Sequence, residues 1–395
     1  MKRPTIQVPL QLRKRLSEGH PWVYRDQLAP GLHVNQSGAD GNWVRVECGD
    51  WSGYGLWDQH SPIALRIFSH DRVPDQAWIT EQLAAAWELR AAIRQGATTA
   101  YRVVFGEGDG LPGITVDLYA DFAVIAIYAD SVRALVPLVA AALREIVPVR
   151  GIVERLPRDE QAADAKVRLV WGVVPPSSLV IEEHGLKFRA NLHAGQKTGL
   201  FLDHRENRHF LEPWSYGKRV LNCFSYTGAF SVYAAWGGAA EIVSCDVAPS
   251  AAEDARHNFA LNGFNPANYE FAVEDCFTLL ERFARTGRQF DLIILDPPAF
   301  ATSKRQFHSA VRAYTRLNQL ALRCLVPDGL LASASCTSQV GPEAFRALLA
   351  TAAAEAGRRL QIIHDAGQPV DHPVPAHFPE GRYLKFMLCR ARQAG

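Results

Sequence analysis

KRVLNCFSYTGAF, residues 218–230, sets a short apolar run, a turn and a helix start in immediate succession. Val220 and Leu221 belong to a run that suits a buried strand, Ser225-Tyr226-Thr227-Gly228 forms the turn, and Ala229 to Trp236 is a helix-like run. In an open α/β sheet, ligands bind at the carboxyl end of the first strand, beside a helix start. Free backbone N–H groups and a glycine allow close approach there. Gly228 is the one glycine of this turn, so the G-x-G-x-x-G of dinucleotide-binding proteins is absent. An ordinary strand-to-helix turn would read the same way.

Working outward, the same strand-then-acid pattern recurs. A second strand, Glu241 to Cys245, ends at Asp246, about 20 residues beyond the first turn, the separation at which such folds reach a ribose hydroxyl. A third, Tyr269 to Val273, runs into Glu274-Asp275, and a fourth, Phe290 to Leu295, runs into Asp296-Pro297-Pro298. Acids at three successive strand tips behind a glycine turn point to a nucleoside ligand.

The order of NCFSYTGAF, Asp246, Asp275, DPPAF and SASCTSQV resembles the class I S-adenosylmethionine-dependent methyltransferases. The likeness is greatest to the bacterial 23S ribosomal RNA cytosine-5 methyltransferases with an N-terminal PUA domain. It extends over nearly the whole chain, through GHPWVYR, GEGDGLPGITVD, IEEHGLKF, QKTGLFLDHRENR, DHPV and YLK. The implied fold is α/β: a Rossmann-like, seven-stranded, mostly parallel methyltransferase sheet with an antiparallel edge. A small β-rich PUA domain (1–74) and an α+β central domain (75–178) would precede the methyltransferase domain (179–395). Pro175-Pro176 marks the second boundary, because consecutive prolines disfavour both helix and central strand.

Within that frame, Asp75 to Arg94 reads as helix, and Tyr101 to Ala129 as a hairpin-like pair around GEGDGLPG. Ser250 and Glu253 form a capping box for a helix from Ala251 to Asn262, which Gly263 stops. A fifth core strand, Gly329 to Ser333, delivers Ser335-Cys336-Thr337.

The balance of 48% hydrophobic and 21% charged residues is that of a globular protein, and no apolar run is long enough for a membrane helix. The N-terminus is expected to carry no secretory signal. A net charge of +1 gives no global pull toward nucleic acid, so RNA affinity must come from local patches. One lies between Asp296 and Asp328, where there is no acid but Lys304, Arg305, Arg312, Arg316 and Arg323 all occur. Arg312, Arg316 and Arg323 share a helix face opposite Val311, Tyr314, Leu317 and Ala321, which suits either phosphate contact or plain solvation. Near the start, Arg13, Lys14 and Arg15 stand beside His20-Pro21-Trp22; with the PUA resemblance this implies RNA positioning. The seven cysteines are scattered without C-x-x-C pairing, which argues against disulfides and a zinc site and for a reducing compartment. The expectation is a cytoplasmic enzyme with no metal and no membrane partner.

The resemblance implies methylation of cytosine C5 in 23S ribosomal RNA or a large-subunit precursor, with S-adenosylmethionine as cofactor. Cytosine C5 needs a thiolate added at C6 before it can attack a methyl group. Cys336 is the implied nucleophile, and Asp296 would hydrogen-bond the ring at N3 or N4. Phe300 would stack on an unstacked base, and Pro297 and Pro298 would stiffen the loop. Phe224, Tyr226, Thr227 and Gly228 would line methionine and ribose, Asp246 would take the ribose hydroxyls and Asp275 the adenine amino group. Cys276 or Phe277 would flank the adenine, and Thr198 and Asp203 would cover the methionine end. Where some relatives carry a second cysteine in the Asp-Pro motif, this chain has Pro298-Ala299, so no second thiol there can release product. The base that takes the C5 proton is not identified. Two alternatives stay open: a guanine-N7 or exocyclic-nitrogen methyltransferase, which needs no cysteine, and a non-catalytic PUA-anchored RNA-binding protein. The oligomeric state is open as well, a homodimer included.

Overall fold

The computed structural model describes residues 3–29, 31, 43–156, 166–193, 200–301 and 303–394. The chain forms two compact units, one of Met1–Ile181, Ala190–Leu202 and Val370–Gly381, the other of Glu182–Arg189, Asp203–Pro369 and Arg382–Gly395.

In the first unit, β1 (Thr5–Gln7), β2 (Trp22–Tyr24), β3 (Trp43–Cys48), β4 (Trp51–Trp57) and β5 (Ile63–Ser69) make a sheet in the order β1-β3-β4-β5-β2. Alternating residues such as Val44 and Val46 point to a core with Ile6, Val23, Trp57 and Leu65, and helix α1 (Arg13–Ser17) adds Leu16. A second sheet contains β6 (Ala100–Phe105), β7 (Ile114–Tyr119), β8 (Phe122–Ile127), β9 (Gly151–Arg155) and β10 (Val167–Gly172), ordered β10-β9-β8-β7-β6. Helices α2 (Gln76–Leu89) and α4 (Val136–Ile146) bury Ile79, Leu83, Val139 and Leu143 in its core.

Two details of this unit differ from the expectation. Tyr101 to Ala129 is a three-stranded meander, not a hairpin, because the chain also turns at Ala120-Asp121. That turn has neither glycine nor proline, and Ala120 adopts φ +53°. The helical stretch ending at Arg94 is broken at Arg90, which separates α2 from the short α3 (Ala91–Arg94).

Strands β11 (Leu179–Glu183) and β12 (Leu186–Ala190) form a two-stranded hairpin, which turns through His184 and Gly185 at φ +48° and +84°. The second unit is a seven-stranded sheet of β13 (Arg219–Cys223), β14 (Glu241–Asp246), β15 (Glu270–Val273), β16 (Phe290–Leu295), β17 (Leu325–Ser335), β18 (Arg358–Ala366) and β19 (Lys385–Gln393). Its order is β15-β14-β13-β16-β17-β19-β18. The first five strands run parallel and β19 is antiparallel to both neighbours. Strand order reverses between β13 and β16, and that switch point is where an open α/β sheet binds its ligand.

Among the described residues, the α-helices that accompany this sheet are α5 (Arg205–Leu211), α6 (Ala229–Trp236), α7 (Pro249–Leu261), α8 (Cys276–Thr286), α9 (Phe307–Arg323) and α10 (Pro342–Glu355). The expected capping box of α7 does not form. The helix begins earlier, with Pro249 in its first turn and Ala248 as N-cap without a side-chain cap. Proline suits that position because its fixed φ is helical and the N–H it lacks would be unpaired anyway. Ser250 and Glu253 therefore lie inside the helix.

Candidate active site

The turn after β13 is strained. Phe224 and Tyr226 both adopt left-handed backbone, at φ +59° and +46°, followed by Gly228 at +74°. Such conformations cost non-glycine residues roughly 1–2 kcal/mol each. Contacts from β14 and α8 hold the turn in place. Tyr226 N donates to Asp246 Oδ2 at 2.9 Å, Ser225 N to the Cys245 carbonyl at 2.9 Å, and Phe224 N to Cys276 Sγ at 3.2 Å. Gly228 is required on two grounds, since a Cβ there would also lie 2.8 Å from Ala255 Cβ of α7. The Thr227 carbonyl accepts from Asn258 Nδ2 at 2.8 Å, whereas its buried Oγ1 has no hydrogen-bond partner.

The expected acids take their places along the strand tips. Asp246, half-buried, accepts from Tyr226 N and, through Oδ1, from Ala248 N at 3.0 Å. Asp275 is the N-cap of α8, where Oδ1 accepts from Thr278 N at 3.0 Å and Thr278 Oγ1 at 3.1 Å. It lines a cavity of about 510 Å³ together with Phe277, Thr278, Glu281, Arg312 and Arg316. Cys276 is buried under the turn, 3.6 Å from Cys245 Sγ. Both thiols are pushed up, Cys245 by its hydrogen bond with Cys276 and by burial, Cys276 chiefly by its hydrogen bond with Cys223. Phe277, not Cys276, faces the cavity.

Across the switch point, Cys223 pairs with Leu295, so Asp296 follows directly on β16. Pro297 is buried, and its carbonyl lies 4.0 Å from Cys336 Sγ. Cys336 follows β17, the next strand of the sheet, and Thr337 anchors it by donating from Oγ1 to the Ala301 carbonyl at 2.7 Å. Six of the seven cysteines are buried and Cys336 is partly exposed. Phe300 packs on Tyr314, with ring centroids 4.7 Å apart. Burial pushes the Tyr314 phenol up to about 12, so it stays protonated near Cys336 and Asp296.

Three further residues enter the site without a sequence pattern that marks them. Buried His204 places Nε2 3.2 Å from Asp296 Oδ1, and its Nδ1 lies 3.0 Å from Asn207 Nδ2. Despite that approach to Asp296, Nε2 has no hydrogen-bond partner among the described residues. Tyr383 donates its hydroxyl to Asp203 Oδ2 at 2.7 Å. Lys385, 1% exposed, reaches the Thr337 carbonyl. Their signal is faint because each acts on a residue more than 40 positions away or sits in a short motif without a glycine or acid pattern. Thr198 lies outside the described residues.

The cations expected to meet RNA divide into two groups. Lys304, Arg305 and Arg312 are exposed, while Arg316 is paired with Glu281. Arg13 is held by Asp50, with Nη2 to Oδ2 at 2.7 Å, and Lys14 lies 3.8 Å from Glu18. His20 is buried, and Trp22 Nε1 donates to Glu107 at 2.8 Å, so this pair does not form an open stacking platform. Among the described residues, no group of three or more His, Cys, Asp or Glu side chains could hold a metal ion, and no helix is long and apolar enough to cross a membrane.

Comparison with known proteins bears on the same residues. Residues 162–379 match the family model of S-adenosylmethionine-dependent methyltransferases, and residues 8–70 match a PUA-like domain. The ribosomal RNA large subunit methyltransferase I of Aeromonas salmonicida is 38% identical over 387 residues, covering 96% of this chain and 97% of that protein. The protein of the same name from Shewanella amazonensis is 38% identical over 386 residues, covering 95% and 96%. Among solved structures, a protein from Streptococcus mutans described as a SAM-dependent methyltransferase superimposes with a TM-score of 0.87 at 25% identity, over 98% of this chain and all of the other. A chain described as a methyltransferase complexed with SAH gives the same values. With its strand order, its strained turn after β13 and relatives that match along almost its whole length, the chain belongs to the S-adenosylmethionine-dependent methyltransferase family, in the branch that carries an N-terminal PUA-like domain.

Proposed function

We propose that this chain methylates C5 of a cytosine in large-subunit ribosomal RNA, with Cys336 as nucleophile. The observation that carries the reading is that Cys336 is the partly exposed thiol among seven, placed beside the Asp296-Pro297 loop at the switch point. The RNA substrate class follows from the relatives, whose shared name specifies large-subunit ribosomal RNA.

The residues present fit the cofactor. Thr227 Oγ1 is buried and unpartnered in the turn, the half-buried Asp246 carboxylate has lone pairs to spare, and the cavity by Asp275 and Phe277 can take an aromatic ring. Phe224, Tyr226, Thr227 and Gly228 would hold the methionine and ribose portions, and Asp246 the ribose hydroxyls. Asp275 and Phe277 would meet the adenine, and Asp203 the methionine end. When bound, S-adenosylmethionine supplies an electrophilic sulfonium methyl.

The chain's own groups then act on the base. Asp296 orients the cytosine through N3 or N4, with the buried His204 imidazole, Nε2 3.2 Å from Oδ1, packed behind its carboxylate. The Cys336 thiolate forms a bond to C6, which moves the C5=C6 electron pair onto C5. C5 would then take the methyl group from the sulfonium, whose sulfur would keep the electron pair of the broken C–S bond; loss of the C5 proton to a base would restore the double bond as the C6–S bond breaks and the thiolate leaves. Lys304, Arg305 and Arg312 would bind phosphates beside this pocket, and the PUA-like domain, within residues 1–74, would anchor the RNA with Arg13 and Lys14 as rim contacts.

The test incubates the protein with labelled S-adenosylmethionine and unmodified 23S ribosomal RNA, wild type beside Cys336→Ala, followed by nucleoside mass analysis. The expected product is 5-methylcytidine, lost in the variant. Label on guanine, or activity surviving in Cys336→Ala, would replace this reading with the exocyclic-nitrogen or guanine-N7 one.

A further inference from the structure

A buried cation stands next to the cysteine and has no part in the chemistry above. Lys385 begins β19 directly opposite Ser335 of β17, one residue before Cys336. It is 1% exposed, and its Nζ donates to the Tyr383 carbonyl at 2.8 Å and to the Thr337 carbonyl, on the far side of Cys336. Among the described residues no carboxylate forms an ion pair with it. A buried ammonium without a counter-ion is expensive, and such groups concentrate where charge has a task.

The charges around it indicate the task. Burial is the largest influence and brings Lys385 down to about 8; Cys336 opposes this by favouring the charged form, and Arg382 adds to the lowering. The coupling is mutual, so a cation favoured by a thiolate favours that thiolate equally. On the adjoining strand the Asp296 carboxylate would oppose a negative sulfur, and Tyr314, kept neutral by burial, carries no charge.

We propose that Lys385 is the positioning residue that holds Cys336 as a thiolate, reaching across from β19 to the β17 tip; this rests on the cytosine-5 reading, in which Cys336 is the nucleophile. In the activating step the Sγ–H bond breaks and its proton leaves to solvent, while the Lys385 ammonium keeps its own proton. The result is an ammonium–thiolate pair in which the fixed cation balances the new negative charge on sulfur, leaving the thiolate ready to add to C6.

The experiment measures the rate at which iodoacetamide alkylates Cys336 between pH 5.5 and 9.5 in the full-length protein without RNA. The six buried cysteines contribute a background that Cys336→Ala defines. Wild type should titrate below the ordinary thiol value of about 8.5. Lys385→Met should move the midpoint up by about one unit, which is roughly a tenfold slower reaction near neutrality. Lys385→Arg, which keeps a cation, should retain most of the wild-type reactivity. Affinity for S-adenosylhomocysteine, measured for each variant, confirms an intact fold, and Lys385→Gln replaces Met if the latter does not bind. A wild-type midpoint in a folded Lys385→Met or Lys385→Gln protein overturns the proposal. Failure of the cytosine-5 reading looks different, since it appears as RNA methylation surviving in Cys336→Ala.

Discussion

The Asp246 carboxylate accepts hydrogen bonds from the turn after β13, through Tyr226 N at 2.9 Å, and from the start of α7, through Ala248 N at 3.0 Å. The first of these bonds secures a residue held at φ +46°, so the acid that would bind ribose also stabilises the backbone that would cradle it. Asp246→Ala removes both functions together. Hydrogen bonds to a charged group contribute roughly 1.5–3 kcal/mol, which corresponds to about a 10- to 100-fold loss of affinity. Titration calorimetry with S-adenosylhomocysteine is expected to show that loss. An affinity within about threefold of wild type would remove Asp246 from the cofactor site. Asp246 was legible from its position 20 or so residues after the turn. The left-handed Phe224 and Tyr226 were not, because nothing in their side chains favours φ > 0; tertiary contacts from Cys276 and Asp246 impose it.

Elements were most legible where periodicity and punctuation agree. Strand β16 and helix α6 coincide with their expected limits, each bounded by an apolar run and a turn signal. Helix α7 starts before the capping box because two N-terminal signals compete within a few residues, and Pro249 prevails over Ser250 by fixing φ. Helix α9 shows the limit of reading charge from spacing. Its apolar face buries Tyr314, Leu317 and Ala321 as expected, but the cations opposite are unequal, since Arg316 is engaged by Glu281 of α8 while Arg312 is exposed. Each phosphate contact on single-stranded nucleic acid contributes a slope of about 0.7 in log affinity against log salt. Replacing Lys304, Arg305 and Arg312 together by alanine should therefore flatten the slope for an unpaired ribosomal RNA fragment by about 2. Arg316→Ala should change it little. A triple variant with the wild-type slope would show that RNA takes another path.

Across the whole molecule, the least legible feature was what GEGDGLPG and DHPV do, because their partners lie far off in sequence. In the first unit, fully buried Arg90 uses every guanidinium donor. Nε donates to the Arg102 carbonyl at 3.0 Å, and Nη1 to the Ala86 carbonyl at 3.1 Å and to Asp109 Oδ1 at 2.6 Å. Nη2 donates to Asp109 Oδ2 at 2.6 Å and to the Asp371 carbonyl at 2.8 Å. Asp371 Oδ2 in turn accepts from Arg102 N at 2.9 Å. Asp109 of the glycine-rich loop and Asp371 of the DHPV segment thus meet on one arginine, across 281 residues in the case of Asp371. Gly108 has its own constraint, since a Cβ there would fall 2.1 Å from the Pro373 carbonyl oxygen. These motifs are accounted for by architecture, with no chemistry asked of them. Removing one partner of a buried ion pair leaves the other uncompensated, at a cost of about 3–5 kcal/mol. Arg90→Met should therefore lower the unfolding free energy of the first unit by that amount, and its urea midpoint in proportion, with the buried Asp109 left without its partner. Arg90→Met combined with Asp109→Leu should recover part of the loss, because the orphaned charge is gone. Urea denaturation followed by the fluorescence of Trp78 and Trp87 on α2 would report both variants. Equal midpoints for wild type and Arg90→Met would mean that the five bonds return no more than their desolvation takes away. In the folded fraction of either variant, affinity for S-adenosylhomocysteine should stay at the wild-type value, since every residue assigned to the cofactor turn belongs to the other unit.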